Sequence, residues 1–166
     1  MTFDQAFARV IAAEGAMTND PADPGGLTKY GISQRAYPTE DIANLTLDRA
    51  RAIYLRDYWG PAGCDAVPDV LRGDLFDMAV NQGVRPAIKA LQHAVGEVED
   101  GILGPRTLQA VQSVPLDRLV YRFDAARLVA YTEANDAAWQ RFGRGWIRRV
   151  ASNMMALGAV GASNGV

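Results

Sequence analysis

The stretch from Glu14 to Ile32 holds the side chains best suited to chemistry. Glu14 closes an apolar helical stripe of Phe3, Phe7, Val10 and Ile11. Asp20 and Asp23 follow in the stiff turn Asn19-Asp20-Pro21-Ala22-Asp23-Pro24-Gly25-Gly26. Glycosidic cleavage uses such groups: one protonated carboxyl donates to the leaving oxygen, and a second group handles water or the oxocarbenium-like charge. The acid has to hold its proton near neutral pH. Position 14 favours this twice over. The C-terminal end of a helix is the negative end of its dipole, and partial burial beside an apolar stripe also disfavours the charged form. Asp20 and Asp23 are close enough in sequence to fold back towards Glu14. The same residues have a plainer reading, since a Glu at a helix end is usually solvated and Asp beside Pro and Gly is ordinary turn chemistry.

Other chemistries find little support. Cys64 is the single cysteine and His93 the single histidine of 166 residues. No disulfide within the chain is possible, and a zinc site lacks its ligands. His93 sits inside an apolar helical pattern, Leu91 to Val95, and is expected to be structural; Cys64, in a Gly-Cys-Asp loop, is expected to be inert. No cofactor or metal is expected. The net charge of −2 carries no signature of a nucleic-acid binder. The charge is uneven, however: residues 1–100 carry 9 basic and 15 acidic side chains, and residues 101–166 carry 8 and 4. The Arg141, Arg144, Arg148 and Arg149 cluster near the end is expected to lean on an anionic polymer, with the first three of suitable spacing for one helix face. The start has neither the basic residues nor the apolar run of a secretory leader. No stretch approaches the 18 apolar residues of a membrane span, so no stable membrane insertion is expected.

The elements that must hold Glu14 read mostly as helix. Thr2 and Gln5 form a capping box at the start of a helix that stops at Gly15. The two prolines and adjacent glycines of the acidic turn forbid helix, and the flanks Ala16–Thr18 and Leu27–Ile32 suit a small hairpin. Further helices are expected from the cap Thr46 to Trp59, over Val70–Asn81 closed by Gly83, over Ala87–Val95, over Pro105–Val111, over Leu116–Phe142 and over Trp146–Leu157, with a loop at Pro61–Pro68 and a fraying apolar tail. Short connections argue for one compact unit over 1–166. Tyr30, Tyr54, Tyr58 and Trp59 offer aromatic faces for a sugar groove, and the last three serve equally well as core.

The string from Glu14-Gly15-Ala16 through Asn19-Asp20-Pro21-Ala22-Asp23-Pro24-Gly25-Gly26 to Thr28-Lys29-Tyr30-Gly31-Ile32 resembles the N-terminal signature of glycoside hydrolase family 108, phage-type N-acetylmuramidases. Ala16 and Met17 depart from it, where the family usually has a second glycine and often an aromatic. Phe76–Gly83, Ala90-Leu91-Gln92 with Asp100–Thr107, and Gly145–Val150 resemble later landmarks of the same family, so the resemblance covers about residues 3–150. It implies a mainly α, lysozyme-like fold with one small β-hairpin or irregular turn after the first helix. It gives Glu14 the role of catalytic acid, and matches Asp20, Asp23 and Thr28 to the acidic turn and hydroxyl that face it. Asn81 matches a position near the groove, where it suits an acetamido group, although Asn-Gln-Gly is also a helix-ending sequence.

The expected activity is therefore hydrolysis of the β-1,4 bond between N-acetylmuramic acid and N-acetylglucosamine, with Tyr30, Asn81, Tyr58 and Trp59 on the sugar. Residues 1–80 form the catalytic part, and 81–150 resemble a predicted peptidoglycan-binding part. The alternatives are a lytic transglycosylase using the same Glu14, and an inactive wall-binding or virion structural protein. The expected partner is bacterial peptidoglycan, met by a monomer made in the cytoplasm. It would reach the wall through a holin-like export partner or from a phage particle.

Overall fold

The computed structural model describes residues 1–14, 17–18, 26–133 and 135–162; the side chains at 13, 14, 17, 18, 141 and 156–162 lie outside the description. The described elements run α1 (Phe3–Glu14), β1 (Met17–Thr18), β2 (Thr28–Lys29), β3 (Ile32–Ser33), α2 (Leu47–Tyr54), α3 (Asp69–Gln82), α4 (Val84–Val95), α5 (Pro105–Ser113), α6 (Leu116–Thr132) and α7 (Asp136–Ala162). A π-helical turn, Leu55–Trp59, continues α2, and a 3-10 turn, Cys64–Ala66, sits in the loop before α3. The chain is mainly α and lysozyme-like, with a minimal sheet beside the first helix.

α3 is the axis of the packing. It contacts α1, α4 and α6, and Leu71, Leu75, Phe76, Met78 and Ala79 are all fully buried along it. A helix covered on several sides buries apolar residues all round its axis, which is why they do not form a single stripe along its sequence. α1 brings Phe3, Ala6, Phe7 and Val10 to this core, and α2 brings Ala50, Ile53 and Tyr54. Gly83 links α3 to α4 with φ at +96°, a backbone that glycine adopts without penalty. The core continues from there through Ala87, Leu91 and Ala94 of α4 to Leu119 and Phe123 of α6.

Local signals explain most boundaries. Thr2 and Gln5 do form the reciprocal box: Thr2 N–H donates to Gln5 Oε1 at 2.9 Å and Gln5 N–H to Thr2 Oγ1 at 3.3 Å. Thr46 Oγ1 accepts from Arg49 N–H at 3.2 Å. Pro105 is the first residue of α5, where its missing N–H costs nothing.

Four expectations need correction. The long helix over Leu116–Phe142 is two helices, because α6 ends at Thr132 and Asn135 caps α7 by accepting from Ala138 N–H at 2.9 Å. α7 then runs through the position where a separate Trp146–Leu157 helix was expected, and its backbone stays helical to Ala162 where fraying was expected. The helix from Thr46 does not stay α to Trp59. Gly60 N–H donates to Leu55 O at 3.0 Å, the wider i→i+5 ring of a π turn.

Candidate active site

Glu14 is the last residue of α1, so the residue expected to do acid chemistry closes the helix that precedes the sheet. Its side chain lies outside the described residues, and so do Asp20 and Asp23 entirely. The elements that frame them are described. β1, β2 and β3 form one antiparallel sheet in that order, with Met17 opposite Lys29, Thr18 opposite Thr28, and Lys29 opposite Ile32. The expected hairpin is thus a three-stranded meander. Its second turn is the pair Tyr30-Gly31, with φ at +53° and +74°. Two successive left-handed residues match the right-handed twist of the flanking strands. Tyr30 pays for that geometry in strain, since a bulky residue rarely adopts a positive φ. The turn is held in place by Tyr54, whose hydroxyl donates to the Tyr30 carbonyl at 3.0 Å.

Around this meander the loops are tightly fastened. Thr28 Oγ1 donates to the Gly26 carbonyl at 3.2 Å, and Lys29 Nζ to the Ala43 carbonyl at 3.1 Å. Gln34 Nε2 lies within 3.2 Å of the carbonyls of Tyr37, Pro38 and Glu40. Tyr37 donates to Asp57 Oδ2 at 2.9 Å; burial, then the neighbouring Tyr58 and Asp57, raise its pKa. Arg56 grips the same carboxylate, and its hydrogen bond holds Asp57 below the usual carboxylate range.

The four proposed sugar contacts separate on inspection. Tyr30 and Tyr58 are half-buried and belong to the meander and the π turn that flank Tyr54; the Tyr54 and Tyr58 rings lie 5.5 Å apart. Trp59 is a correction. It is 2 % exposed, packs on Phe3 and Phe76, and donates from Nε1 to Asp65 Oδ2 at 3.0 Å, so it presents no face to a sugar. Asn81 is half-buried in the last turn of α3, and its Nδ2 donates to the Asp77 carbonyl at 2.8 Å. His93 lies on the outer face of α4: its side chain is 55 % exposed, with Nδ1 2.7 Å from Glu99. Only its neighbours Leu91, Gln92 and Ala94 face inward. Cys64 is buried, and burial pushes its thiol up to about 12, which leaves it unreactive.

Gln92 shows what the Asp100–Thr107 block does structurally. Its Nε2 lies 2.7 Å from Asp100 Oδ1, 3.1 Å from the Ile102 carbonyl and 3.2 Å from Thr107 Oγ1, while its Oε1 accepts from Gly101 N–H at 2.8 Å. One buried amide closes the loop between α4 and α5.

The sequence reading missed a buried charge network. Arg127, fully buried on α6, donates from Nη2 to Asp77 Oδ2 at 2.5 Å and from Nε to the Tyr131 hydroxyl at 2.6 Å. Arg149 of α7 reaches the other Asp77 oxygen at 3.0 Å. Arg149 is therefore tied to α3, and the expected wall-facing cluster loses one member. Asp74 and Asp124 lie buried nearby, and burial raises their carboxyls to about 6 and about 7. In both cases the folded pKa exceeds the unfolded value. Their neutral form favours folding fully below about pH 4, and that contribution is lost as pH rises through 6 to 7. The melting temperature should fall across that interval. Asp124→Asn should flatten the fall and stabilise the protein above pH 7 by on the order of 1 kcal/mol or more; an unaltered pH profile would contradict the assignment.

A helix ending in a carboxylate, a small meander beside it and a helical body around one central helix define the lysozyme-like class of glycoside hydrolases. Residues 7–83 match the model of the glycosyl hydrolase 108 family, and residues 86–151 match that of the predicted peptidoglycan domain. The solved structure of SagA from Brucella abortus is similar throughout, at 31% identity and a TM-score of 0.83, over 95% of this chain and 94% of that one. No curated protein matches the chain. The chain belongs to glycoside hydrolase family 108 and is a glycoside hydrolase acting on peptidoglycan.

Proposed function

We propose that the chain is a muramidase: it hydrolyses the β-1,4 bond between N-acetylmuramic acid and N-acetylglucosamine, with Glu14 as general acid. The observation that carries this reading is the position of Glu14 at the C-terminal end of α1, inside the segment that matches the hydrolase family. The helix dipole at that end disfavours a second negative charge and so favours the protonated acid. Asp20 or Asp23 supplies the second carboxyl, with Thr28 beside it, and Tyr30, Tyr58 and Asn81 meet the sugars. Residues 1–80 carry the chemistry and 81–150 the wall contact. Among the described residues no helix is long and apolar enough to cross a membrane. A phage-type endolysin reaching the wall through a holin-like pore, or carried on a particle, fits this reading.

Product analysis tests it. Digestion of purified wall should release fragments with a reducing muramic end. Fragments ending in an anhydro ring would instead mean a transglycosylase, and fragments with a reducing glucosamine end would mean cleavage of the other glycan bond.

A further inference from the structure

A cleft of about 610 Å³ opens between α1, α3 and α7, with Arg9, Arg148 and Arg149 on its walls and Asp77 and Asn153 between them. Among the described residues Asp77 is the acidic member of the lining, and it is already engaged by Arg127 and Arg149. Behind it, Asp74 and Asp124 are buried and take no part in the cleft's lining. Asn153 accepts from Arg9 Nη2 at 3.1 Å, which directs its amide nitrogen to Asp77 at 3.4 Å. Arg9 is thus held by neutral groups, the Asn153 oxygen and the Met1 sulfur at 3.8 Å. Among the described residues neither Arg9 nor Arg148 forms an ion pair.

The rest of the lining is small. A Cβ on Gly73 would stand 2.5 Å from Met1 Sδ and 3.6 Å from Arg9 Nη1, so the missing side chain is what lets both lie across α3. Two guanidinium groups without a carboxylate on the wall of one cleft suit an anion that fits their planar fork. Arg9 lies five residues before the end of α1, about 7.5 Å along its axis at 1.5 Å per residue. An occupant that reaches Arg9 runs beside the helix that ends in Glu14.

We propose that this cleft binds the carboxylate-bearing arm of the muramic acid residue, with Arg9 and Arg148 as its anion ligands. The proposal rests on the muramidase reading and deepens it. It gives the enzyme a means of telling wall glycan from an uncharged β-1,4-linked polymer of N-acetylglucosamine. The carboxylate is either that of the lactyl group or that of a peptide attached to it.

Calorimetric titration of the intact chain tests this with three ligands. These are the N-acetylglucosamine–N-acetylmuramic acid disaccharide, the same disaccharide with its lactyl group joined to a dipeptide, and the N-acetylglucosamine disaccharide. The wild type should bind a carboxylate ligand at least about tenfold tighter than the uncharged one. Arg9→Gln and Arg148→Gln should each weaken that binding about tenfold and leave the uncharged ligand unaffected. Preference for the free lactyl form over the peptide form, or the reverse, assigns the carboxylate. Arg148 is exposed, so its replacement keeps the test valid if Arg9→Gln folds poorly. A wild type without preference, or an Arg148→Gln protein that keeps its preference in full or loses both classes of ligand equally, would overturn the proposal. Wall lysis by Glu14→Gln reports separately on the muramidase reading, because it tests the acid and not the cleft.

Discussion

Glu14→Gln should lower wall lysis by at least about 10²-fold while leaving the fold intact. The amide matches the carboxyl in shape but has no acidic proton, and losing general acid catalysis costs about 10²–10⁴-fold. Glu14 is the final residue of α1, and the helix is anchored in the core by Phe3, Phe7 and Val10, which the exchange leaves in place. Lysis of purified wall and thermal melting, measured on one preparation, separate the two effects. Activity should collapse and the melting temperature should hold. Lysis within a few-fold of the wild type would remove Glu14 from the mechanism and leave the family's acid to be sought elsewhere.

The largest effect on stability should come from Arg127. Arg127→Met should destabilise the chain by about 3–5 kcal/mol, the usual cost of breaking a buried ion pair from one side. A domain's whole stability is about 5–15 kcal/mol, so the loss is a large share of it. Asp77 would keep Arg149 but lose the shorter of its two ion pairs, and the Tyr131 hydroxyl would lose its donor. Adding Asp77→Asn should restore part of the loss, because no buried carboxylate then remains that has lost the shorter of its two ion pairs. Chemical denaturation of the single and double variants checks both statements. A single variant within about 1 kcal/mol of the wild type would show that the network contributes little.

What could be read from the sequence was whatever depends on near neighbours. The capping box at Thr2 and Gln5 needs residues only three apart, whereas the Tyr30-Gly31 turn fell inside a segment expected to be one flank of a hairpin. The ends at Gly83 and Gly96 follow from glycine's access to positive φ. The break between α6 and α7 was hidden because it uses neither Pro nor Gly; Asn135 acts as a cap only once the chain has turned. The charge network was hidden for a different reason. Asp77 meets Arg127 across 50 positions and Arg149 across 72, and no local pattern encodes such a pairing. Of the proposed site, the framework around Glu14 was legible from its signature, whereas Trp59 was undecidable because aromatic spacing is the same in a groove and in a core.

The π turn at Leu55–Trp59 acts as a one-residue shim. An unbroken α-helix advances about 100° per residue. Closed as α-helix, the same residues would carry Trp59 further round the axis, by up to about that angle, away from Phe3 and Phe76, while Tyr54 stayed fastened to the meander. The extra residue puts the two aromatics in phase with two different neighbours, the sheet turn on one side and the core on the other. Surface loops commonly tolerate the gain or loss of a residue. Here the length of a helix, to a single residue, keeps the Tyr30 turn and the aromatic core in register.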